Sequence, residues 1–181
     1  PIRVSLVLAA VAVLAAPAPA FAATWYVATN ASSHRDGTSW TAAFRTLHDG
    51  LAAADAGDVV QLGVGEFIIT HEHVPDGVRI AGLGTDQTVV RVVDSWPVFL
   101  IAPALEAEGD VELASLALIL DGAEAEHPVA LLASGDEFSG RRPEVLLQDV
   151  EIAGFRSGVQ AVFADVWVEG SALRDAWTVT N

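Results

Sequence analysis

The sequence predicts an all-β protein, a right-handed parallel β-helix with a short N-terminal capping helix. One amphipathic segment comes first, and many short β-branched runs cut by Gly, Asp or Pro follow it. Short strands in such number are typical of sandwiches, barrels and solenoids. A motif that recurs along the chain favours a solenoid of stacked rungs. A β-sandwich with irregular turn spacing is the alternative.

Residues 1–22 have the pattern of a secretory signal peptide. Arg3 precedes an apolar stretch at 4–16, and Ala20, Phe21 and Ala22 fit the small-x-small rule for cleavage before Ala23. The stretch is short for a membrane span of about 20 residues. We therefore expect an exported protein, secreted or at the cell surface, with no membrane insertion after leader cleavage.

Residues 23–58 are predicted to form an N-terminal cap of one strand and one helix. Ser39 follows a polar turn and suits a helix N-cap. The spacing of the next apolar residues gives one helix face, at Phe44, Leu47, Leu51 and Ala54. Gly57 and Asp58 then end the helix. A helix placed before many strands would cover the open edge of the first rung.

Residues 59–181 are predicted to form the rungs. The candidate strands are 67–70, 78–81, 88–93, 98–102, 111–120, 129–133, 144–152, 159–163 and 166–169. The segments that begin at Ser115, Asp149 and Asp165 align without gaps, at offsets of 34 and 16 residues. We expect roughly six rungs of about twenty residues each. The chain contains no Met and stops within this pattern, so we expect a fragment whose last rung is uncovered.

The composition is strongly acidic. The formal net charge is −15. The sequence contains neither Lys nor Cys, so its permanently cationic side chains are all Arg. Such a charge repels nucleic acid and anionic membrane surfaces, so we expect neither as a partner. It also repels polyanionic sugars unless divalent cations screen the contact. Without disulfides, an exported chain depends on a long hydrogen-bonded ladder for its stability.

The start of the mature chain resembles a known group of proteins. The segments that carry the resemblance are 26–30, 36–40, 43–47, 56–62 and 65–67. They are similar to the N-terminal cap and first rung of exported bacterial right-handed parallel β-helix proteins, the pectin-lyase-like superfamily. That group includes polysaccharide lyases, glycoside hydrolases, epimerases and surface proteins with no assigned activity. The resemblance implies the fold and leaves the chemistry open.

The resemblance makes pairs of Arg and carboxylate side chains the candidate catalytic residues. A lyase of this group needs a base, usually Arg or Lys, and a cation to neutralise the substrate carboxylate. Arg156 and Arg174 are candidates, with Asp149 and Asp165 as acidic partners. A hydrolase would need converging carboxylates, which Asp149 and Asp165 provide if they stack on adjacent rungs. Solvated turn residues are the alternative interpretation.

Two groups of residues are candidates for metal binding. Asp121 and Glu124 on one expected loop, with Asp136 and Glu137 on another, offer oxygen ligands for Ca²⁺. No established calcium-loop pattern is present. His71 and His73 would share one face of an extended segment, and a third ligand would be required for Zn²⁺.

Trp167 is the candidate ligand platform. It lies between Val166 and Val168, so it points outward if the two valines face the core. An exposed indole can stack against a sugar ring.

These features favour a secreted or cell-surface scaffold that binds extracellular polysaccharide, or another cell-envelope component, without catalysis. The alternative is a polysaccharide lyase or glycoside hydrolase of the pectin-lyase-like superfamily, with Ca²⁺ as its candidate cofactor. A purely structural passenger or stalk role is also compatible with the sequence.

Overall fold

A computed structural model describes residues 22–32, 35–93, 103–107, 109–121, 129–135, 140–155, 157–174 and 179–180. One α-helix, α1, spans Leu47–Ala53, and a 3-10 turn spans Trp40–Ala42. The strands are β1 Thr24–Val27, β2 Val59–Leu62, β3 Gly65–Ile69, β4 Glu72–Val74, β5 Val78–Ala81, β6 Thr88–Val93, β7 Leu105–Ala107, β8 Val111–Asp121, β9 Val129–Ser134, β10 Glu144–Ala153, β11 Ser157–Val162, β12 Asp165–Glu169, β13 Ala172–Arg174 and β14 Val179–Thr180.

The strands stack in parallel on three faces. The first face contains β1, β2, β5, β12 and the first halves of β8 and β10. The second contains β3, β6, β13 and the second halves of β8 and β10. The third contains β4, β7, β9, β11 and β14. This is the predicted all-β parallel β-helix with a short N-terminal helix.

The described strands of the first face, counted from β2, mark five rungs, fewer than the six expected. The expectation assumed rungs of about twenty residues throughout. One rung, however, takes 33 residues from Val78 to Val111, and the next takes 34 from Val111 to Val145. These two longer rungs account for the difference. The predicted strand at 98–102 and residues 1–21 of the predicted leader lie outside the described residues.

The register confirms one of the two predicted repeats and corrects the other. Val150 is paired with Leu116, as the 34-residue offset predicts. Val166 is paired with Val145, 21 residues earlier, and not with Val150. Asp149 therefore does not align with Asp165. It occupies a corner of the coil with a left-handed φ of 53°, as Ser115 does with a φ of 52° on the previous rung.

The core consists of apolar rows that run along the coil. On the second face Phe67, Val90, Leu118 and Ile152 are successive partners, and all four are buried. Full burial of such a side chain contributes about 1.5–3 kcal/mol. A corresponding row on the first face ends at Val168, which is 47% exposed on the last described rung of that face.

The cap helix begins later than predicted. Ser39 caps the 3-10 turn by accepting a hydrogen bond from the Ala42 N–H, whereas Thr46 caps α1 by accepting one from the Asp49 N–H. The apolar face is confirmed at Leu47 and Leu51, which are buried. Phe44 precedes the helix. In the described part of the chain, no helix has the length and apolar character needed to span a membrane.

Asp58 joins the cap to the first rung. Its Oδ1 accepts the Ala23 N–H at 2.7 Å, and its Oδ2 accepts the Trp25 indole N–H at 2.9 Å and the Asp55 N–H at 3.0 Å. The residue is only 7% exposed. Burial alone raises the pKa of this carboxyl, but the three hydrogen bonds outweigh that effect and leave the pKa lowered.

Leu118 tests whether the inner row of the second face carries stability. We expect Leu118→Ala to lower the free energy of unfolding by about 2–5 kcal/mol, because it opens a cavity in a closed row. Urea unfolding followed by circular dichroism measures this change. Ile68→Ala on the outer side of the same face is the control, since Ile68 is 65% exposed. A similar loss in both variants would contradict the assigned core.

Candidate functional site

The outer side of the first face carries a row of dissimilar side chains. Arg79, Glu112, Leu146 and Trp167 are Cα partners on successive rungs, and we call them the outer row. Neighbouring strands are about 4.8 Å apart, so this row extends over roughly 14 Å. Each member alternates with inward-facing neighbours on its own strand.

Trp167 forms one end of the outer row. Its side chain is 60% exposed, and its partner Leu146 is half-buried beside it. The predicted outward orientation of Trp167 is confirmed. Together the indole and the leucine provide an apolar surface at the edge of a charged region.

A shallow cavity of about 210 Å³ lies next to this surface. Arg79, Asp110, Glu112, Glu144 and Leu146 contribute to its lining. The cavity therefore combines one apolar side, a guanidinium group and three carboxylates. Binding sites for small molecules also combine apolar area with a few polar groups, although they are usually larger and more apolar than this cavity.

Some of the acidic groups on this face are structural. Asp76 Oδ1 accepts the Asp110 N–H at 2.8 Å, and Asp110 Oδ1 accepts the Glu144 N–H at 2.8 Å. These carboxylates bind backbone donors at the edge where each rung enters the first face. Their first role is therefore to join successive rungs.

The same two carboxylates, Asp76 and Asp110, also lie near an arginine. Arg141 lies 2.8 Å from Asp76 and 3.5 Å from Asp110. Burial raises the pKa of the Asp76 carboxyl, but hydrogen bonds from Arg141 and the Asp110 N–H bring it below its usual value. The hydrogen bond that Arg141 donates to Asp76 in turn raises the pKa of Arg141.

Two further ion pairs flank the cavity, and one carboxylate stands apart from them. Arg142 is 2.9 Å from Asp165, and Arg79 is 3.3 Å from Glu112. Within the described residues, the Glu144 carboxylate makes no ion pair or hydrogen bond. It therefore leaves an uncompensated negative charge at the cavity.

Arg174 does not join Asp165 in one site. It lies on the second face, where its guanidinium is 3.0 Å from Glu151, and Ala153 is its Cα partner. Asp165 begins the first-face strand of the same rung. Arg156, the other arginine predicted for a lyase site, lies outside the described residues, so its role stays a prediction.

The predicted stacking of Asp149 on Asp165 is wrong. Asp165 is opposite Glu144, while Asp149 stands at the corner between the first and second faces. The physical reason is that the 21-residue rung keeps Val166 in the inward row of Val145. The two aspartates therefore do not form the converging pair expected of a hydrolase.

The calcium candidates are not tested by the described residues. The Asp121 backbone ends β8 opposite Val93, but its side chain lies outside the described part. Glu124, Asp136 and Glu137 lie outside it as well. Ca²⁺ binding stays a prediction.

His71, one of the two histidines predicted for zinc, has other partners. His71 Nδ1 is 2.7 Å from the Pro103 carbonyl oxygen, and its Nε2 is 3.5 Å from Glu106. Across the residues that the structure describes, no group of three His, Cys, Asp or Glu side chains is arranged to hold a metal.

Several members of this face were not identified from the sequence. They are Arg79, Asp110, Glu112, Glu144 and Leu146. A usable signal was present, because Val78, Val111, Val145 and Val166 each begin a stretch of alternating inward and outward residues. Aligning the strands on these valines gives the outer row directly.

Comparison with known proteins identifies the fold. No protein-family model matches the chain, and no curated protein sequence matches it. Among solved structures, the chain is similar to pectin methylesterase PemA from Erwinia chrysanthemi, with a TM-score of 0.53 and 17% identity. The likeness covers 87% of this chain and 49% of that one, so the chain spans about half of that structure. It shows a parallel β-helix fold.

The Arg141–Asp76 contact can be tested by titration. We expect Arg141→Ala to raise the pKa of Asp76, because burial then acts with only the backbone hydrogen bond to oppose it. The change is measured by NMR, from the carboxyl chemical shift of Asp76 between about pH 2 and about pH 7. This range brackets the ordinary pKa of an Asp carboxyl, about 3.9. Arg142→Ala is the control, since Arg142 pairs with Asp165. An unchanged Asp76 in Arg141→Ala would contradict the assigned cause.

Proposed function

We propose that the protein is an extracellular or cell-surface scaffold that binds polysaccharide along the outer row without catalysis. The observation that carries this proposal is the exposed indole of Trp167, next to Leu146 and the charged cavity. Export is part of the proposal and is supported by the signal-peptide pattern of residues 1–22.

The outer row provides two kinds of contact that a sugar chain requires. The apolar C–H face of a sugar ring stacks on an indole, and Trp167 presents one at the surface. The hydroxyl groups then need donors and acceptors, which Arg79, Glu112 and Glu144 supply at the cavity. Because the members lie on successive rungs, a bound chain would run along the coil axis.

The charge of this face favours particular sugars. Each arginine on it (Arg79, Arg141 and Arg142) is paired with a carboxylate, whereas Glu144 is unpaired among the described groups. The whole chain also carries a net charge of −15. Uronic-acid polymers are repelled by such a face. We therefore propose neutral or amine-bearing polysaccharides as ligands.

A lyase or hydrolase activity remains an alternative hypothesis. The likeness to a pectin methylesterase concerns the fold, and fold alone does not carry a reaction. An assay for unsaturated or reducing ends, on neutral, amine-bearing and uronic-acid polymers with and without Ca²⁺, distinguishes the two functions. Release of such ends would replace the scaffold proposal.

Trp167 provides the direct test of binding. We expect Trp167→Ala to weaken binding of oligosaccharides at least about two-fold, because a stacked aromatic contact is worth roughly 0.5–1.5 kcal/mol beyond its buried area. Isothermal titration calorimetry with cello-oligosaccharides, glucosamine oligomers and oligogalacturonates, in EDTA, measures it.

The control is Ile68→Ala, which removes an equally exposed apolar side chain from the second face. Equal affinities for the wild-type protein and Trp167→Ala would refute the proposed site. Tight binding of oligogalacturonate in EDTA would refute the proposed charge preference while leaving the location intact.

A further inference from the structure

We propose that cleavage of the leader between Ala22 and Ala23 creates an α-ammonium group that pairs with the buried carboxylate of Asp58. The new chain end would thereby fasten the cap to the first rung. The inference rests on the predicted cleavage position and on the geometry around Ala23.

The geometry places the Ala23 nitrogen directly on the carboxylate. The distance from Ala23 N to Asp58 Oδ1 is 2.7 Å. The Ala23 carbonyl accepts the Val59 N–H at 2.8 Å, which holds the residue beside the start of β2. Ala22 is exposed, so the peptide bond between Ala22 and Ala23 lies at the surface.

The chemistry is hydrolysis of one peptide bond by an export-linked peptidase. One water is consumed: its oxygen bonds to the Ala22 carbonyl carbon as the C–N bond to Ala23 breaks. Ala22 leaves as a carboxylate, and the Ala23 amine takes up the protons to become an ammonium. A neutral amide donor to the Asp58 carboxylate is thus replaced by a charged one, which adds a Coulombic attraction between the ammonium and the carboxylate.

The position of the cut is decisive. A chain that begins at Ala22 keeps an amide N–H on Asp58 and places its ammonium one residue away. A chain that begins at Thr24 loses this donor altogether. Oδ2 of Asp58 already accepts the Trp25 and Asp55 donors, so Oδ1 is the atom that the ammonium would meet.

The test compares two chains of equal net charge, one beginning at Ala23 and one at Ala22. We expect the Ala23 chain to have an unfolding equilibrium constant about five-fold lower, measured by urea unfolding at pH 6. The difference should vanish at about pH 11, well above the ordinary α-amino pKa of about 8. The sign follows because an ammonium that gains a carboxylate partner titrates higher in the folded state, so its stabilisation is lost as pH rises.

Asp58→Asn in both chains is the specific control, and it should abolish the difference between them. Should Asp58→Asn fail to fold, acetylation of the Ala23 amine serves instead, because it keeps an N–H donor and removes the charge. N-terminal sequencing of the exported protein should give Ala23 as the first residue. Equal stability of the two chains, or an exported chain with another first residue, would overturn the proposal.

Discussion

The structure depends on one constraint, the register in which each rung forms hydrogen bonds with the next. Because side chains alternate along a strand, a shift of one residue would turn a whole buried row outward. The pairing of Val145 with Val166 keeps both valines in the inward row, although the rung between them is far shorter than the two before it. Ser115 and Asp149 both form corners because this register places them at equivalent positions on successive rungs.

A fixed interior leaves the outer positions free to differ. Arg79, Glu112, Leu146 and Trp167 occupy equivalent places on successive rungs, yet they share no chemistry. The coil requires only that each strand keep its inward residues apolar. Binding properties can therefore change along the outer row at little cost in stability, which explains why this fold alone does not specify a function.

The acidic groups have two different roles. Asp58, Asp76 and Asp110 accept backbone N–H groups and thereby join neighbouring segments. They were indistinguishable in sequence from surface carboxylates, since a hydrogen bond to a distant backbone donor leaves no local pattern. Glu144 has no such described partner, and its charge is directed to the cavity. A net charge by itself thus overstates how much of the acidity is available for a ligand.

The sequence by itself determined the features that follow from local spacing: strands such as β5, β6 and β8, the buried helix face at Leu47 and Leu51, and the outward position of Trp167. The sequence did not determine where the helix begins, because Ser39 and Thr46 are both suitable N-cap residues. The tertiary structure alone decided that Asp165 faces Glu144, and that Arg79 and Trp167 belong to one row. These partners come from different rungs, and rung length varies with the segments between strands. Only the packed coil fixes which residues meet.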